Sequence, residues 1–173
     1  MRRVFPVFKV KGVRSVVPFG TDETISRVVS EYSPMLLRLA CTRLENTADA
    51  EDAVQETFLR LLTARPVFRD AGHERAWLIR TALHRASDIR RAAEKRNVPL
   101  EAAAQAAAPE RGSELLSAVR ALPEKYSAVI HLYYYEGYSI KEIAAMLGLP
   151  APTVGTRLAR GRERLRQMLK EED

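Results

Sequence analysis

Carboxylates at helical spacing stand in the first half of this 173-residue sequence and are candidates for chemistry. Asp49, Asp52 and Glu56 fall at i, i+3 and i+7, which places them on one helix face, with Gln55 and Leu59 adjoining. An acid–base or metal site here would need a histidine, a pocket-forming partner or a glycine-pinned calcium loop, and the segment offers none of these. The spacing leaves two interpretations, a solvated acidic face and a surface that binds a protein partner.

Basic side chains are the second set of candidates, and they are concentrated in separate segments. Residues 65–100 hold nine Lys/Arg against four Asp/Glu, and residues 151–170 hold six against one. Residues 21–64 hold four basic against eight acidic groups. Two basic faces would attract an anionic partner such as nucleic acid, which would be repelled by the acidic face. The acidic face therefore fits a protein partner better than a nucleic acid.

Helical periodicity positions these residues, because it dominates from residue 25 onward and no convincing period-2 strand pattern is present. Ser33-Pro34 predicts a helix start, Asp49 a helix cap, the segment 65–72 a loop, and 74–95 a helix. In the last of these helices, Arg80, His84 and Arg91 share one face.

The composition bounds the architecture. Hydrophobic residues make up 46% of the chain, enough for real cores, and the length allows one or two small domains. The alanine-rich stretch between prolines after residue 97 lacks large apolar residues and predicts a linker. The expected fold is all-α, with two small helical domains joined by a flexible linker. The expected boundaries are a disordered basic extension at 1–23, a first domain at 24–96, a linker at 97–113 and a second domain at 114–173.

Several functional classes lack their residues. A single cysteine, Cys41, excludes an internal disulfide framework and a multi-thiolate zinc site, and three scattered histidines offer little for a metal centre. The sequence contains no phosphate-cradling glycine loop and no Ser/His/Asp set, which argues against an enzyme. No apolar run approaches the ~20 residues of a membrane helix. We expect a reduced cytoplasmic protein that has no cofactor and no membrane insertion.

The second domain carries the strongest local pattern. Ser139 and Glu142 form a capping-box sequence, and Gly148-Leu149-Pro150 ends the short helix that follows. The next helix buries an apolar row from Val154 onward and exposes arginines on its other sides. A short capped helix, a glycine turn and a basic second helix predict a helix-turn-helix that binds DNA, and an ordinary helical hairpin is the alternative.

Two separate segments resemble a known family. DAEDAVQETFLRLL (49–62) resembles the polymerase-docking segment of region 2 of sigma-70 factors, and LPEKYSAVIHLYYYEGYSIKEIAAMLGLPAPTVGTRLARGRERLR (122–166) resembles their region 4. AWLIRTALHRASDIRR (76–91), between them, resembles the helix that reads the minus-ten element and melts the promoter. The chain is similar to small extracytoplasmic-function (ECF) sigma factors over about residues 25–170.

The resemblance implies roles for the candidate residues. The acidic face would bind the clamp helices of the largest subunit of the RNA polymerase core, and promoter DNA and an anti-sigma factor would be further partners. The polymerase-binding residues would be Asp49, Asp52, Gln55, Glu56 and Leu59. The minus-ten and melting residues would be Arg80, His84, Asp88 and Arg91. The helix-turn-helix residues that bind the minus-thirty-five element would be Ser139, Thr153, Thr156, Arg157, Arg160 and Arg164.

The sequence departs from the family pattern at a few positions. Gly155 stands where relatives commonly have a polar or basic residue, and Gly161 replaces the usual buried alanine. Each glycine costs about 0.8–1 kcal/mol of helix propensity. Trp77 is expected to pack in the core rather than to stack on melted bases, and so are the tyrosines between residues 133 and 138. The alternative to a sigma factor is an autonomous helix-turn-helix regulator that binds duplex DNA without the polymerase.

Overall fold

The computed structural model describes residues 22–96 and 113–171, and these residues form helices and connecting turns without a strand. The helices in chain order are α1 Asp22–Cys41, α2 Thr47–Ala64, α3 Ala71–Lys95, α4 Ser113–Ala121, α5 Glu124–Tyr134, α6 Ile140–Leu147 and α7 Ala151–Glu171. We refer to α1–α3 as the N-terminal bundle and to α4–α7 as the C-terminal bundle. Most of the expected basic extension and most of the expected linker lie outside the described residues, while Asp22 and Glu23, which were assigned to the extension, belong to α1.

The N-terminal bundle packs its three helices around one apolar core. Fully buried side chains come from all three helices, among them Leu36, Leu61 and Ile79. Asn46 caps α2 by accepting a hydrogen bond from the Ala48 backbone N–H at 2.9 Å, and Asp70 caps α3 in the same manner. These caps satisfy backbone donors that a helix start leaves unpaired.

Three helix starts differ from the sequence prediction. Helix α3 begins at Ala71, inside the segment predicted as a loop, because Asp70 caps it. Ser33-Pro34 lies inside α1, because the preceding residues form an amphipathic turn that buries Val28 and Tyr32 against the bundle. The buried turn outweighs the missing N–H of Pro34, whose ring lies on the exposed side of the helix. Asp49 is a first-turn residue of α2 rather than its cap, since Asn46 occupies that position.

The C-terminal bundle contains the predicted helix-turn-helix. The Ser139 hydroxyl accepts from the Glu142 N–H, and the Glu142 carboxylate accepts from the Ser139 N–H, so the capping box is confirmed. Gly148 ends α6 with φ +66°, a left-handed conformation that favours glycine. Val154 and Leu158 anchor α7 in the core beneath α5 and α6.

The two bundles also contact each other. Helix α6 packs along α3, and α1 touches α5. Among the described helices, none has the length and apolar character needed to cross a membrane.

Candidate nucleic-acid interface

The acidic face predicted on α2 lies at the surface of the N-terminal bundle. Asp52 and Gln55 are exposed, and Leu59 exposes 60% of its surface. Leu62 is 36% exposed and continues this face at i+3 from Leu59. We call this surface the α2 stripe. Asp52 and Gln55 lie at one end of it, and Leu59 and Leu62 lie at the other. Leu59 belongs to the predicted set, whereas Leu62 was missed because leucine at helical spacing normally predicts burial.

Two of the predicted α2 carboxylates, Asp49 and Glu56, are less accessible than Asp52. Asp49 is partly buried in the first turn, where a carboxylate favours the helix dipole. Glu56 forms an ion pair with Arg85 of α3, and Arg85 also lies 3.6 Å from Asp88. Asp88 in turn lies 3.8 Å from Arg91. A chain of alternating charges therefore runs from the α2 face to the basic face of α3.

The predicted basic face of α3 is present, but its members have different surroundings. His84 and Arg91 are exposed. Arg80 is partly buried and donates a hydrogen bond to the Met146 carbonyl of α6 at 3.0 Å. Asp88 carries the wrong charge for a phosphate contact and instead holds the arginines on either side of it.

The loop before α3 is organised by aromatic packing. The Phe68 ring meets the Trp77 ring edge-on at 6.0 Å and the His73 ring at 5.5 Å. Trp77 is half-buried against the core, in agreement with the packing role expected for it. Val67, by contrast, exposes 73% of its surface at the tip of this loop. The loop therefore exposes Val67 to solvent beside the packed rings of Phe68, His73 and Trp77.

The predicted recognition helix α7 exposes its polar residues along one side. Thr156, Arg160 and Arg164 are exposed, and Thr153 and Arg157 are partly so. These residues line or border a shallow depression of about 360 Å³ in the C-terminal bundle. The sixth predicted residue, Ser139, uses its hydroxyl in the capping box, where its hydrogen bonds hold the pKa of Glu142 below its ordinary value.

Helix α5 adds two residues to this depression that the sequence pattern did not single out. Lys125 and Tyr126 line it opposite α7. The guanidinium of Arg164 lies 5.4 Å from the centre of the Tyr126 ring, and the Lys125 ammonium lies 5.1 Å from it. The ring thus holds two cations near the depression. A lysine in the first turn of α5 gave no periodic signal, because its place beside α7 depends on tertiary packing.

The four tyrosines at the end of α5 and in the turn before α6 divide into two pairs. Tyr133 and Tyr138 are partly buried against the core, as expected for packing residues. Tyr134 and Tyr135 expose 56% and 71% of their surfaces, although the Tyr134 ring meets Tyr133 edge-on at 5.0 Å and the Tyr135 ring stacks on His131.

An all-helical chain with a capped helix-turn-helix, a basic recognition helix and a second basic helix belongs to the class of helix-turn-helix DNA-binding proteins. Comparison with known families identifies it further. Residues 28–96 match the family model of sigma-70 region 2, and residues 113–165 match that of sigma-70 region 4. The chain belongs to the sigma-70 family.

Curated relatives narrow the assignment to the ECF group. The chain is 34% identical over 153 residues to the ECF RNA polymerase sigma factor SigL of Mycobacterium tuberculosis, covering 82% of this chain and 86% of SigL. It is 32% identical over 178 residues to SigE of Mycolicibacterium smegmatis, covering 94% of this chain and 66% of SigE. SigW of Bacillus subtilis is 29% identical over 172 residues, covering 88% of this chain and 92% of SigW. A sigma factor that works with RNA polymerase is therefore favoured over an autonomous regulator.

Solved structures share the fold. The sigma factor RpoE of Bartonella quintana, crystallised with the anti-sigma factor NepR, matches with a TM-score of 0.69 at 21% identity, covering 86% of this chain and 98% of that one. CnrH, solved with the cytosolic domain of CnrY, matches with a TM-score of 0.67 at 26% identity, covering 89% and 92%. The all-α fold class of two small sigma domains is confirmed.

Proposed function

We propose that this ECF sigma factor divides its work between the faces described above, with the α2 stripe binding the polymerase core. The observation that carries this assignment is the exposed leucine pair on an acidic helix face. Leu59 is 60% exposed and follows Asp52 and Gln55 on the same side of α2. Exposed apolar residues bordered by charge are typical of a protein-binding surface. We extend the predicted set of Asp49, Asp52, Gln55, Glu56 and Leu59 by adding Leu62.

The basic residues divide between two forms of promoter DNA. Arg80, His84 and Arg91 would contact the melted strand around the minus-ten element, with Asp88 positioning Arg91 through their ion pair. The residues of α7 would enter the major groove of the duplex at the minus-thirty-five element. These are Thr153, Thr156, Arg157, Arg160 and Arg164, with Ser139 supporting α6. Lys125 would add a phosphate contact from α5.

The remaining partners follow from the family. RpoE of Bartonella quintana was solved with an anti-sigma factor, and we propose that a partner of that class binds this chain as well. The protein would act in the cytoplasm, where the polymerase works, as a specificity subunit and not as an enzyme. Initiation by the complex would need no cofactor held by this chain.

A binding experiment tests the docking assignment. Leu59→Ala and Asp52→Arg should each weaken assembly with purified core polymerase by about tenfold, or about 1.4 kcal/mol, because the stripe loses an anchor or gains the wrong charge. Leu115→Ala and Glu23→Arg are matched controls, since Leu115 is 54% exposed on α4 and Glu23 is exposed on α1.

Fluorescence titration of labelled protein with core enzyme would measure these affinities, and circular dichroism would confirm the fold. Wild-type affinity for both stripe variants would show that α2 does not dock the polymerase. Equal losses in the stripe variants and the controls would point to a non-specific effect of substitution.

A further inference from the structure

Four basic side chains line or border the depression between α5 and α7, and they have no carboxylate partner. Lys125, Arg157 and Arg160 line it, and Arg164 follows one turn later on α7. In the part of the chain that the structure describes, none of the four forms an ion pair. Arg160 and Arg164 are i,i+4 neighbours, and like charges at this spacing repel each other. Ion pairing therefore does not hold these side chains in place.

Tyr126 of α5 lies among these basic residues, and only 4% of its surface is exposed. The centre of its ring lies 5.1 Å from Lys125 Nζ and 5.4 Å from Arg164 Cζ. Burial raises the pKa of the Tyr126 phenol, but interactions with the cationic side chains of Lys125, Arg160 and Arg164 outweigh burial and lower it. One aromatic side chain therefore interacts with cations of both helices.

The backbone of both helices fixes the position of the Tyr126 ring. The Tyr126 N–H donates to the Pro123 carbonyl at 2.8 Å, at the start of α5. On the α7 side, a Cβ atom at position 161 would lie 3.4 Å from Tyr126 Cβ, so the two helices are in close contact there. A buried ring in such a closely packed site has little freedom to move. The ring is therefore a rigid surface for the flexible cations beside it.

Helix α3 holds its arginines in a different way. Asp88 lies 3.6 Å from Arg85 and 3.8 Å from Arg91. A carboxylate neutralises the cation that it orients and repels a phosphate group, because it carries a full negative charge. An aromatic ring orients a cation through its quadrupole and leaves the positive charge available. The arrangement around Tyr126 is therefore suited to side chains that bind phosphate.

We propose that Tyr126 is a positioning residue of the minus-thirty-five interface, which holds Lys125 and Arg164 in place before duplex DNA binds. This inference rests on the DNA-binding role proposed above for α7 and deepens it. Long cationic side chains lose conformational entropy when a bound phosphate orders them. A side chain that the ring already holds loses less entropy on binding. Tyr126 thus raises the affinity for DNA without contacting it.

The test uses the full chain, because Arg160 and Arg164 are exposed in this structure. Tyr126→Leu keeps an apolar side chain but removes the ring, whereas Tyr126→Phe keeps the ring. Tyr32→Leu is the matched control, since Tyr32 is a buried tyrosine of α1, in the other bundle, with 2% of its surface exposed. Arg164→Ala removes one of the cations that the ring holds.

Anisotropy with a fluorescein-labelled, random-sequence duplex of about two helical turns would measure the affinity over a range of salt concentrations. Random sequence suffices because phosphate contacts carry no base information. Tyr126→Leu should weaken binding about fivefold and leave the slope of log affinity against log salt unchanged, because all the cations are retained. Tyr126→Phe and Tyr32→Leu should match the wild type. Arg164→Ala should weaken binding and reduce the slope by about one unit.

Nitrogen-15 relaxation of the Arg164 Nε–Hε group is a second readout, which a merely structural role of Tyr126 would not change. This group should be as rigid in Tyr126→Phe as in the wild type and more mobile in Tyr126→Leu. Arg166, which pairs with Glu163 at 2.7 Å, is the internal reference and should be the same in all variants. If Tyr126→Leu loses helical circular dichroism, Tyr126→Met takes its place, because methionine adapts to irregular core gaps and has no ring.

The contrary results separate the positioning role from the proposed function. Unchanged affinity in Tyr126→Leu, with weaker binding in Arg164→Ala, would overturn the positioning role and leave the function of α7 intact. An equal loss in Tyr32→Leu would attribute the effect to stability, and an equal loss in Tyr126→Phe would attribute it to the hydroxyl. Either would overturn the proposal. A lower slope in Tyr126→Leu would overturn it too, since a phosphate contact would then have been lost. Unchanged affinity in Arg164→Ala would instead contradict the DNA-binding role of α7.

Discussion

The backbone of Gly161 lies so close to Ile130 that a Cβ atom at position 161 would fall 2.9 Å from Ile130 Cγ1. The same Cβ would also meet Tyr126 Cβ at 3.4 Å. The glycine therefore allows α7 to approach α5 more closely than alanine would. A Cβ atom at position 155, on the same helix, would have no neighbouring side chain within 4 Å. Two glycines that look equivalent in the sequence thus have opposite structural roles.

This contrast predicts opposite effects of the same substitution. Gly155→Ala should stabilise the protein by about 0.8–1 kcal/mol, because it gains helix propensity without a clash. Gly161→Ala should destabilise it by about 1 kcal/mol, because overpacking costs of about 1–3 kcal/mol exceed the same gain. Urea unfolding monitored by circular dichroism would measure both. Stabilisation by Gly161→Ala would show that α5 and α7 separate easily and that the close approach has no energetic importance.

The cap of α2 gives a second stability prediction. Asn46→Ala should cost about 1 kcal/mol, because the Ala48 N–H would lose its acceptor, whereas Asn46→Asp should keep that bond. Asp49→Asn is the comparison, since Asp49 contributes only through its charge near the helix dipole, about 0.3–1 kcal/mol. Thermal unfolding of the three variants would rank them. A larger loss for Asp49→Asn than for Asn46→Ala would reverse the assignment of the cap.

The sequence predicted some features of the fold and missed others. Helix type and order followed from the periodicity, and the capping box at Ser139 followed from its two-residue signature, because both are local patterns. The start of α1 could not be predicted from a local pattern, since packing against α2 and α3 buries Val28 and Tyr32. Leu62 of the α2 stripe was missed for the opposite reason, because its spacing is typical of a core residue but 36% of its surface stays exposed.

Contacts between the bundles lay beyond prediction for a related reason. Arg38 and Glu136 are far apart in the chain, and each is an ordinary charged residue in its own segment. Nothing in either local pattern specifies the other. The same holds for Arg80, whose helical phase predicted a DNA contact but gave no sign of the α6 carbonyl that it contacts in this structure. Sequence pattern therefore identified the faces, and tertiary structure decided which members of each face are accessible.

A buried histidine predicts acid sensitivity of the C-terminal bundle. Burial lowers the pKa of His131, more than the nearby Glu136 carboxylate raises it, and Arg38 lowers it further. The ring also stacks on Tyr135 at 5.2 Å. The unfolded chain binds the proton at the ordinary pKa of about 6.5 and therefore more tightly than the native state does. Stability should be fully present above that pH and should fall as the pH drops below it.

The measurement is the melting temperature at about pH 7.5 and about pH 5.5, on either side of the ordinary histidine pKa. His131→Gln should reduce the difference between the two values, because glutamine has no proton to gain. His84→Gln, at an exposed position, should leave the difference as in the wild type. The lowered pKa of Glu142 acts in a more acidic range and does not interfere. An unchanged difference in His131→Gln would assign the acid sensitivity to another group.

Separate DNA faces predict separate defects in initiation. Arg157→Ala with Arg160→Ala should weaken binding of the holoenzyme to duplex promoter DNA and leave transcription from a pre-melted template comparatively intact, because major-groove docking precedes opening. Arg80→Ala with Arg91→Ala should instead reduce opening, with duplex capture less affected. Each lost phosphate contact should also lower the salt dependence of binding by about one unit of slope. Arg162→Ala is the control on α7, since it lies on another face of the helix, near Tyr134.

Filter binding would follow duplex capture, and permanganate footprinting would follow opening, on the same promoter fragment. The two double variants should fail at different steps, because in the proposed division the α7 face would contact duplex grooves and the α3 face a strand that becomes available only after melting. The control should retain both steps and lose at most a small, sequence-independent part of its affinity. Identical defects in both double variants, at both steps, would contradict the division between the faces. They would instead indicate that α3 and α7 bind one continuous stretch of duplex, as neighbouring helices of a single DNA-binding surface would.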